Sequence, residues 1–340
     1  MEHMKEVKPM SKVETLLKQR EFRTFLFLIL LFVIAGIVNM DFLSLGNIQN
    51  VLKSSLLYIV LAIGMTFVLL TGNIDISVGG VLGLSAAVSG IILRDGASII
   101  LAIFIAILIG ILIGLINGLG VTILKISSFI MTLGMLGILR VIQVIYTDGK
   151  WIENLPLAFK QLSQLNIFGI NMLAIIVIVA VMVIQLYLSK GNKGRYFAAI
   201  GDNEDGAILL GIPVKRYKTY AFIISSVCAS IAGLIFASQI GFISTTAGLG
   251  IEMTVIAATV LGGVSLIGGL GSVVGASIGA IIMTSIISAL VYMKVPAFWN
   301  DAISGSLLII IVVTDAFLAR KSSKQAKRER LNARVIQKEV

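Results

Sequence analysis

Twenty of the 27 Lys and Arg residues in this chain fall in three stretches, 1–23, 190–218 and 320–340, and long apolar runs fill nearly everything between them. Loops rich in Lys and Arg are retained on the cytoplasmic side of a membrane. The pattern is that of a polytopic membrane protein whose two tails and one central loop face the cytoplasm. The net charge of +10 follows from that topology and does not point to nucleic acid. A mean hydropathy of +1.04, with 13% charged residues, excludes an ordinary soluble domain.

Several kinds of chemistry are excluded as well. The single cysteine, Cys228, allows no disulfide framework within the chain. The only histidine is His3, in a polar tail, so neither a His-centred metal site nor a Ser-His-Asp triad is available. The sequence holds no Gly-x-x-x-x-Gly-Lys-Ser/Thr loop to cradle ATP phosphates. No paired carboxylates sit near a nucleophile. No resident cofactor is expected, and any ATP used must be bound by another subunit.

A membrane crossing takes about 20 residues. Apolar segments lie at 22–40, 54–71, 78–93, 97–118, 127–147, 169–189, 218–239, 251–266, 271–292 and 302–319. The first follows a charged tail without a small-residue cleavage site, so it reads as a retained span and not as a signal peptide. Ten crossings put both termini and 190–217 inside. They put 41–53, the Arg94-Asp95-Gly96 turn, 148–168 and 293–301 outside, where basic residues are few (Lys53, Lys150, Lys160, Lys294). The expected fold is thus an all-α polytopic membrane protein of about ten transmembrane helices. A cytoplasmic tail at 1–21, helical from Ser11, precedes a membrane body at 22–319 with a cytoplasmic loop at 190–217, and a basic cytoplasmic tail at 320–340 follows.

Two short blocks, Lys125-Ile126-Ser127-Ser128-Phe129 and Lys294-Val295-Pro296-Ala297-Phe298, each separate a glycine-punctuated apolar run from the next span. In the ten-span scheme the first lies inside and the second outside, as two halves of opposite orientation would place them. Coincidence is the competing account. Gly110, Gly114 and Gly118 are spaced by four, as are Gly271, Gly275 and Gly279. In lipid such spacing lets helix backbones approach and gain dispersion contacts; the plainer reading is that glycine is common in membrane helices.

Three regions are candidates for mechanism. The loop from Gly194 to Pro213 is too polar to cross a bilayer, yet carries Ala207, Ile208, Leu209 and Leu210. Asp202 or Asn203 is expected to cap a short helix from about 203 to 210, ended by Gly211. Such a helix suits docking in another protein's groove, or the loop is simply a solvated connector. Between two spans, Asn73, Asp75 and Ser77 interrupt the apolar pattern. They either serve irregular backbone that lines a pathway or, on the reading favoured for Asp75, cap a helix boundary. Ionisable side chains in spans usually face an interior or a partner. Arg140 and Glu252 are candidates with Asp315, and Asn117, Gln143, Gln185 and Gln239 are polar neighbours. Arg140 and Gln143 share a helix face, with Tyr146 nearby; such groups suit a small hydroxylated solute, whereas Arg140 alone could snorkel to the outer interface. Trp299 and Tyr292 read as interfacial anchors.

Taken together, these residues resemble the permeases of ribose-type sugar ABC importers over 22 to about 318. The resemblance rests on Asn73-Ile74-Asp75-Ile76-Ser77-Val78-Gly79-Gly80 and on the loop opening Gly194-Arg195 and closing Gly211-Ile212. Within that family, Gly149–Pro156, Ala199–Asn203, Ala237–Ile243, Gly250–Met253 and Pro296–Asp301 resemble the autoinducer-2 importing branch. The resemblance implies a non-catalytic subunit of the bacterial inner membrane and an importer of autoinducer-2, or else of ribose or another monosaccharide. An ion-coupled secondary transporter is the rival from another class. It implies cytoplasmic ATPase subunits, a second, paralogous permease and an extracytoplasmic solute-binding protein as partners. It makes Gly194, Arg195, Gly201, Asp202, Asn203, Ala207, Leu210 and Gly211 the ATPase-coupling loop. Asn73, Asp75, Asn117, Arg140, Gln143, Gln239 and Glu252 are then the candidate pathway. One departure is Gly206-Ala207-Ile208 where the family commonly has Ala-Ala-Arg, which removes a basic residue from the docking loop.

Overall fold

The computed structural model describes residues 20–167, 169–296, 298–300, 302–310 and 313. The tail expected to be helical from Ser11, the basic tail at 320–340, and Asp315 lie outside those residues. In chain order the elements are α1 (Arg20–Val38), a 3-10 turn (Met40–Leu43), α2 (Leu45–Leu70), α3 (Val78–Arg94), α4 (Ile99–Thr122), α5 (Ser128–Tyr146) and α6 (Leu157–Leu162). A two-residue hairpin, β1 (Asn166–Ile167) with β2 (Ile170–Asn171), leads to α7 (Met172–Lys190). Then come α8 (Arg195–Asp202), α9 (Glu204–Leu209), α10 (Val214–Ile240), α11 (Ile251–Leu261) and α12 (Val273–Tyr292). All ten expected segments carry helix, the tenth over 302–310.

Small polar residues set the boundaries. Ser98 and Ser272 begin α4 and α12 by accepting the backbone N–H of Leu101 (3.2 Å) and Gly275 (3.0 Å), and Asn171 begins α7 by accepting that of Leu173 (2.9 Å). These side chains satisfy amides that no helical carbonyl can reach. Ser44 does the same for Asn47 (3.4 Å), so α2 starts at Leu45 and takes in much of the segment 41–53 expected to be an outer loop.

Seven of the described helices are long and apolar enough to cross a bilayer, and α3 and α11 are shorter. The α11 helix stops after 11 residues at Leu261, short of the expected 266. At 1.5 Å per residue it is about 16 Å long, roughly half a hydrocarbon core. Each short helix follows a non-helical break, 71–77 before α3 and 241–250 before α11. Burial separates the centre from the rim: 78% of the apolar window of α2 is buried, against 11% for α7. The rim helices therefore present their apolar faces to lipid.

The packing is reciprocal. α2, α3 and α4 form one run and α10, α11 and α12 another. The third helix of each packs on the first of the other, α4 on α10 and α12 on α2, while α2 and α10 pair directly. Within each run the second and third helices also pack together. The resemblance between the two lysine blocks extends to backbone, because Lys125 and Lys294 both take the left-handed conformation, with φ of +56° and +59°. The glycine spacing is used: a Cβ on Gly110, Gly114 or Gly118 would come within 2.9 Å of backbone atoms of α10. The second triplet packs elsewhere, with Gly275 and Gly279 against the C-terminal end of α11.

Candidate functional site

The break before α3 is a buried polar knot. Asp75 Oδ1 accepts from the Ser77 backbone N–H (3.0 Å) and the Ser77 hydroxyl (2.6 Å), and its Oδ2 accepts from the Ser225 hydroxyl of α10 (2.8 Å). Asn117 of α4 donates to the Ser77 hydroxyl (2.9 Å). The backbone N–H groups of Ile74 and Ile76 donate to Ser128 and Thr132 of α5 (3.2 and 3.0 Å). Irregular backbone at membrane depth has to be satisfied by protein; here Ser128 and Thr132 of α5 and Asp75 itself accept its N–H groups, while α4 and α10 hold the polar side chains. Asp75 therefore closes a local turn ahead of α3 and braces α10, but it is not the helix cap of the favoured reading: Ser77 holds that position and makes no side-chain capping bond. Asn73 is used locally, donating to the Thr71 carbonyl and hydroxyl (3.0 Å each).

Replacing Asp75 with alanine leaves two buried hydroxyls and one N–H without their acceptor. Unsatisfied buried donors cost about 1–3 kcal/mol each, so the expected result is a markedly lower thermal midpoint of the detergent-solubilised protein, with Asp75→Asn in between.

Arg140, Gln143 and Glu252 come together on the other break. Arg140 of α5 and Glu252 of α11 form an ion pair of 2.8 Å, the Arg140 side chain 40% exposed and that of Glu252 6%. The second carboxylate oxygen, Oε2, is buried, has no hydrogen-bond partner among the described residues and lies against Gly79. A Cβ at Gly79 would strike this oxygen and the Gly248 carbonyl. Gln143 points its amide at the carbonyls of Thr245 and Ala247, at 3.4 and 3.5 Å. Neighbouring Gly80 lies beside Leu136 and Leu139, halfway along α5, so the carboxylate sits near mid-depth. The start of α3 thus meets the break that precedes α11.

The pair leaves one face of the guanidinium open. The exposed part of Arg140 shares its face of α5 with Leu133, two turns earlier and also uncovered. Arg140 has a partner in the protein and does not merely snorkel. Gln239 stands apart from this group and donates to the Lys53 carbonyl (3.0 Å), joining α10 to α2. Gln185 accepts the Val273 backbone N–H (2.9 Å) and so holds the start of α12.

The loop 190–217 folds as two helices, α8 and α9, where one was expected. Asn203, one of the two expected caps, accepts the Gly206 N–H (2.9 Å), and Gly211 closes the unit at a φ of +77°. Ala207 faces inward, whereas Leu209 and Leu210 are 88% and 80% exposed, which divides residues the sequence placed on one face. A Cβ at Gly201 would strike the Leu70 carbonyl and the Gly269 N–H, and one at Gly194 would strike the Tyr187 carbonyl. Those two glycines seat the loop on the membrane body. Glu204 is paired with Lys218 at 2.7 Å, Arg195 bonds Asn192 (3.0 Å), and Asp202 is exposed beside Gly269.

Thr132, Ser225 and Gly248 serve these sites without having been singled out from the sequence, and Ser128 and Gly79 appeared there only inside longer blocks. Gly241, Gly248 and Gly250, all left-handed, were the available signal for the second break. Trp151 and Phe242 stack with centroids 5.5 Å apart, and Ile152 and Ile243 exchange backbone hydrogen bonds of 2.9 Å. Two of the blocks that carried the family resemblance are thereby joined.

The family model described as "Branched-chain amino acid transport system / permease component" matches residues 47–312. Curated relatives include the "Autoinducer 2 import system permease protein LsrC" of Escherichia coli O9:H4 (strain HS), 42% identical over 92% of this chain and 91% of that protein. The protein of the same name from Enterobacter sp. (strain 638) is 41% identical over 93% of this chain and 92% of its own length. That from Yersinia enterocolitica is 40% identical over 93% and 89%. No solved structure matches the chain.

Proposed function

Since the chain belongs to the family of branched-chain amino acid transport system permease components, we infer that it is the membrane-spanning permease of an ATP-binding-cassette importer of autoinducer-2. The carrying observation is identity of 40–42% along about nine-tenths of the chain to permeases named for that solute. It outweighs the amino-acid label of the broader family because it is a likeness over about nine-tenths of both chains to individual proteins named for one solute. The protein is a multi-pass component of the bacterial inner membrane. Residues 22–319 are assigned to its permease body.

ATP hydrolysis is assigned to cytoplasmic partner subunits. Leu209 and Leu210 at the tip of 190–217 form the apolar contact for them, as an amphipathic helix docks in a groove, with Gly194 and Gly201 holding the loop in place. A second permease completes the pathway and covers the face of α5 on which Arg140 stays part-exposed beside the uncovered Leu133. A binding protein delivers the solute from outside. Arg140, held by Glu252, offers its free N–H donors to a small hydroxylated solute; Gln143 fixes the backbone of the adjoining break, and Asp75 with Asn117 braces the other. Nucleotide binding and hydrolysis shift the assembly between two conformations, which requires unequal affinity for the two states.

Proteoliposomes holding this chain with its partner permease and ATPase, and with binding protein outside, test the reading. Labelled autoinducer-2 should enter only with ATP, and excess ribose should not compete. Ribose uptake with autoinducer-2 inert would overturn the solute and keep the architecture.

A further inference from the structure

A cavity of about 640 Å3 opens where the end of α7 and α8 meet the start of α10, at the end of the molecule assigned above to the cytoplasm. Its lining includes Tyr187, Lys193, Tyr196, Arg216, Tyr217 and Tyr220. The rings are mutually braced: Tyr217 stands edge-on to Tyr196 (5.2 Å) and to Tyr220 (5.9 Å). Among the described residues none of the four hydroxyls has a hydrogen-bond partner, and neither Lys193 nor Arg216 has an ion-pair partner. Nearby Lys218, by contrast, is paired with Glu204. Two free cations and four free hydroxyls around one cavity make an anion-binding set.

The floor decides what kind of anion. Ile223 and Ile224 line the same cavity, and Ile223 lies nine residues into α10 from Val214, about 14 Å along its axis. The cavity therefore runs from the charged loop down the apolar flank of a membrane helix. A soluble phosphate would use the rim and leave the floor empty. A phospholipid fills both, with its phosphate at the cations and hydroxyls and its acyl chains on the isoleucines. The cytoplasmic leaflet is also where anionic lipid collects near basic segments. We propose that the cavity between α7 and α10 is a binding site for an anionic phospholipid of the inner leaflet, recognised by Lys193 and Arg216 through its headgroup phosphate.

The probe is spin-labelled phosphatidylglycerol, compared with spin-labelled phosphatidylcholine, with the full chain in phosphatidylcholine vesicles. The wild-type chain should immobilise the anionic label preferentially. Each cation near a leaflet contributes roughly fivefold, so Lys193→Gln and Arg216→Gln should each lower the preference by about that factor. Lys215→Gln, an exposed cation off the cavity, should leave it unchanged, and Tyr220→Phe should lower it modestly. Glycerol 3-phosphate in the buffer should not displace the label. An equal loss in Lys215→Gln would mean diffuse surface attraction and would overturn the site. Displacement by glycerol 3-phosphate would overturn the lipid in favour of a soluble anion. The readout needs no transport, so it stands or falls independently of the solute assignment.

Discussion

Replacing Glu252 with alanine is expected to cut autoinducer-2 uptake by about a hundredfold, and the Arg140→Gln/Glu252→Gln double variant to regain stability without regaining uptake. Truncating one partner of a buried ion pair costs about 3–5 kcal/mol. Here Arg140 is 40% exposed, so water offsets part of that and about 2 kcal/mol is expected in the thermal midpoint. The loss of transport has a different origin. Hydrogen bonds to charged groups are worth about 1.5–3 kcal/mol, enough for tenfold to a hundredfold in rate, and they depend on a guanidinium held in one direction. The double variant removes the charge imbalance while also removing the solute's donor. Recovery of both stability and uptake would mean that the pair is only a brace, and Arg140 would leave the pathway. Substitution at Gly79 should resemble the single variant, since any side chain there meets the Glu252 carboxylate.

The second large effect is expected at the cytoplasmic loop. Leu209→Ser with Leu210→Ser should leave the melting behaviour of the chain unchanged, because both side chains are exposed. Affinity for the ATPase should fall a hundredfold or more. Burying one leucine contributes about 1.5–3 kcal/mol, and two are removed. Gly201→Val should also release the ATPase, but through displacement of the whole loop from Leu70 and Gly269, and so with a lower melting temperature. Pull-down of the ATPase beside thermal melting separates the two cases. Retained ATPase in the leucine double variant would remove the docking role from the loop's tip.

Much of the architecture is readable in the sequence because the bilayer restricts what a chain can do. Apolar runs give the helices, and Ser98, Asn171 and Ser272 mark their starts. What could not be read depends on distance along the chain. Nothing near Arg140 announces Glu252, 112 residues later, as its partner. Nor does anything near Asp75 announce Ser225, 150 residues on. Gln239 looked like a pathway residue on composition alone, and its amide is spent on the Lys53 carbonyl instead. In the loop, Ala207 and Leu210 share a helical period, yet the helix ends at Leu209, and the last turn carries the two leucines outward. Periodicity identifies a face only while the helix continues.

The interlocking of the two runs bears on where motion can occur. A carrier made of two repeats usually works by tilting one repeat against the other. In this chain each run of three helices has lent its third helix to the other run, with α4 bedded by its glycines in α10 and α12 laid on α2. Prising them apart would strip both clasps at once and expose backbone to hydrocarbon. The chain must therefore travel as a single stiff lever. With the neighbouring permease proposed above, the seam that opens and shuts would run along the outer boundary of this chain, and the freedom that a one-chain carrier finds inside itself would come from assembling.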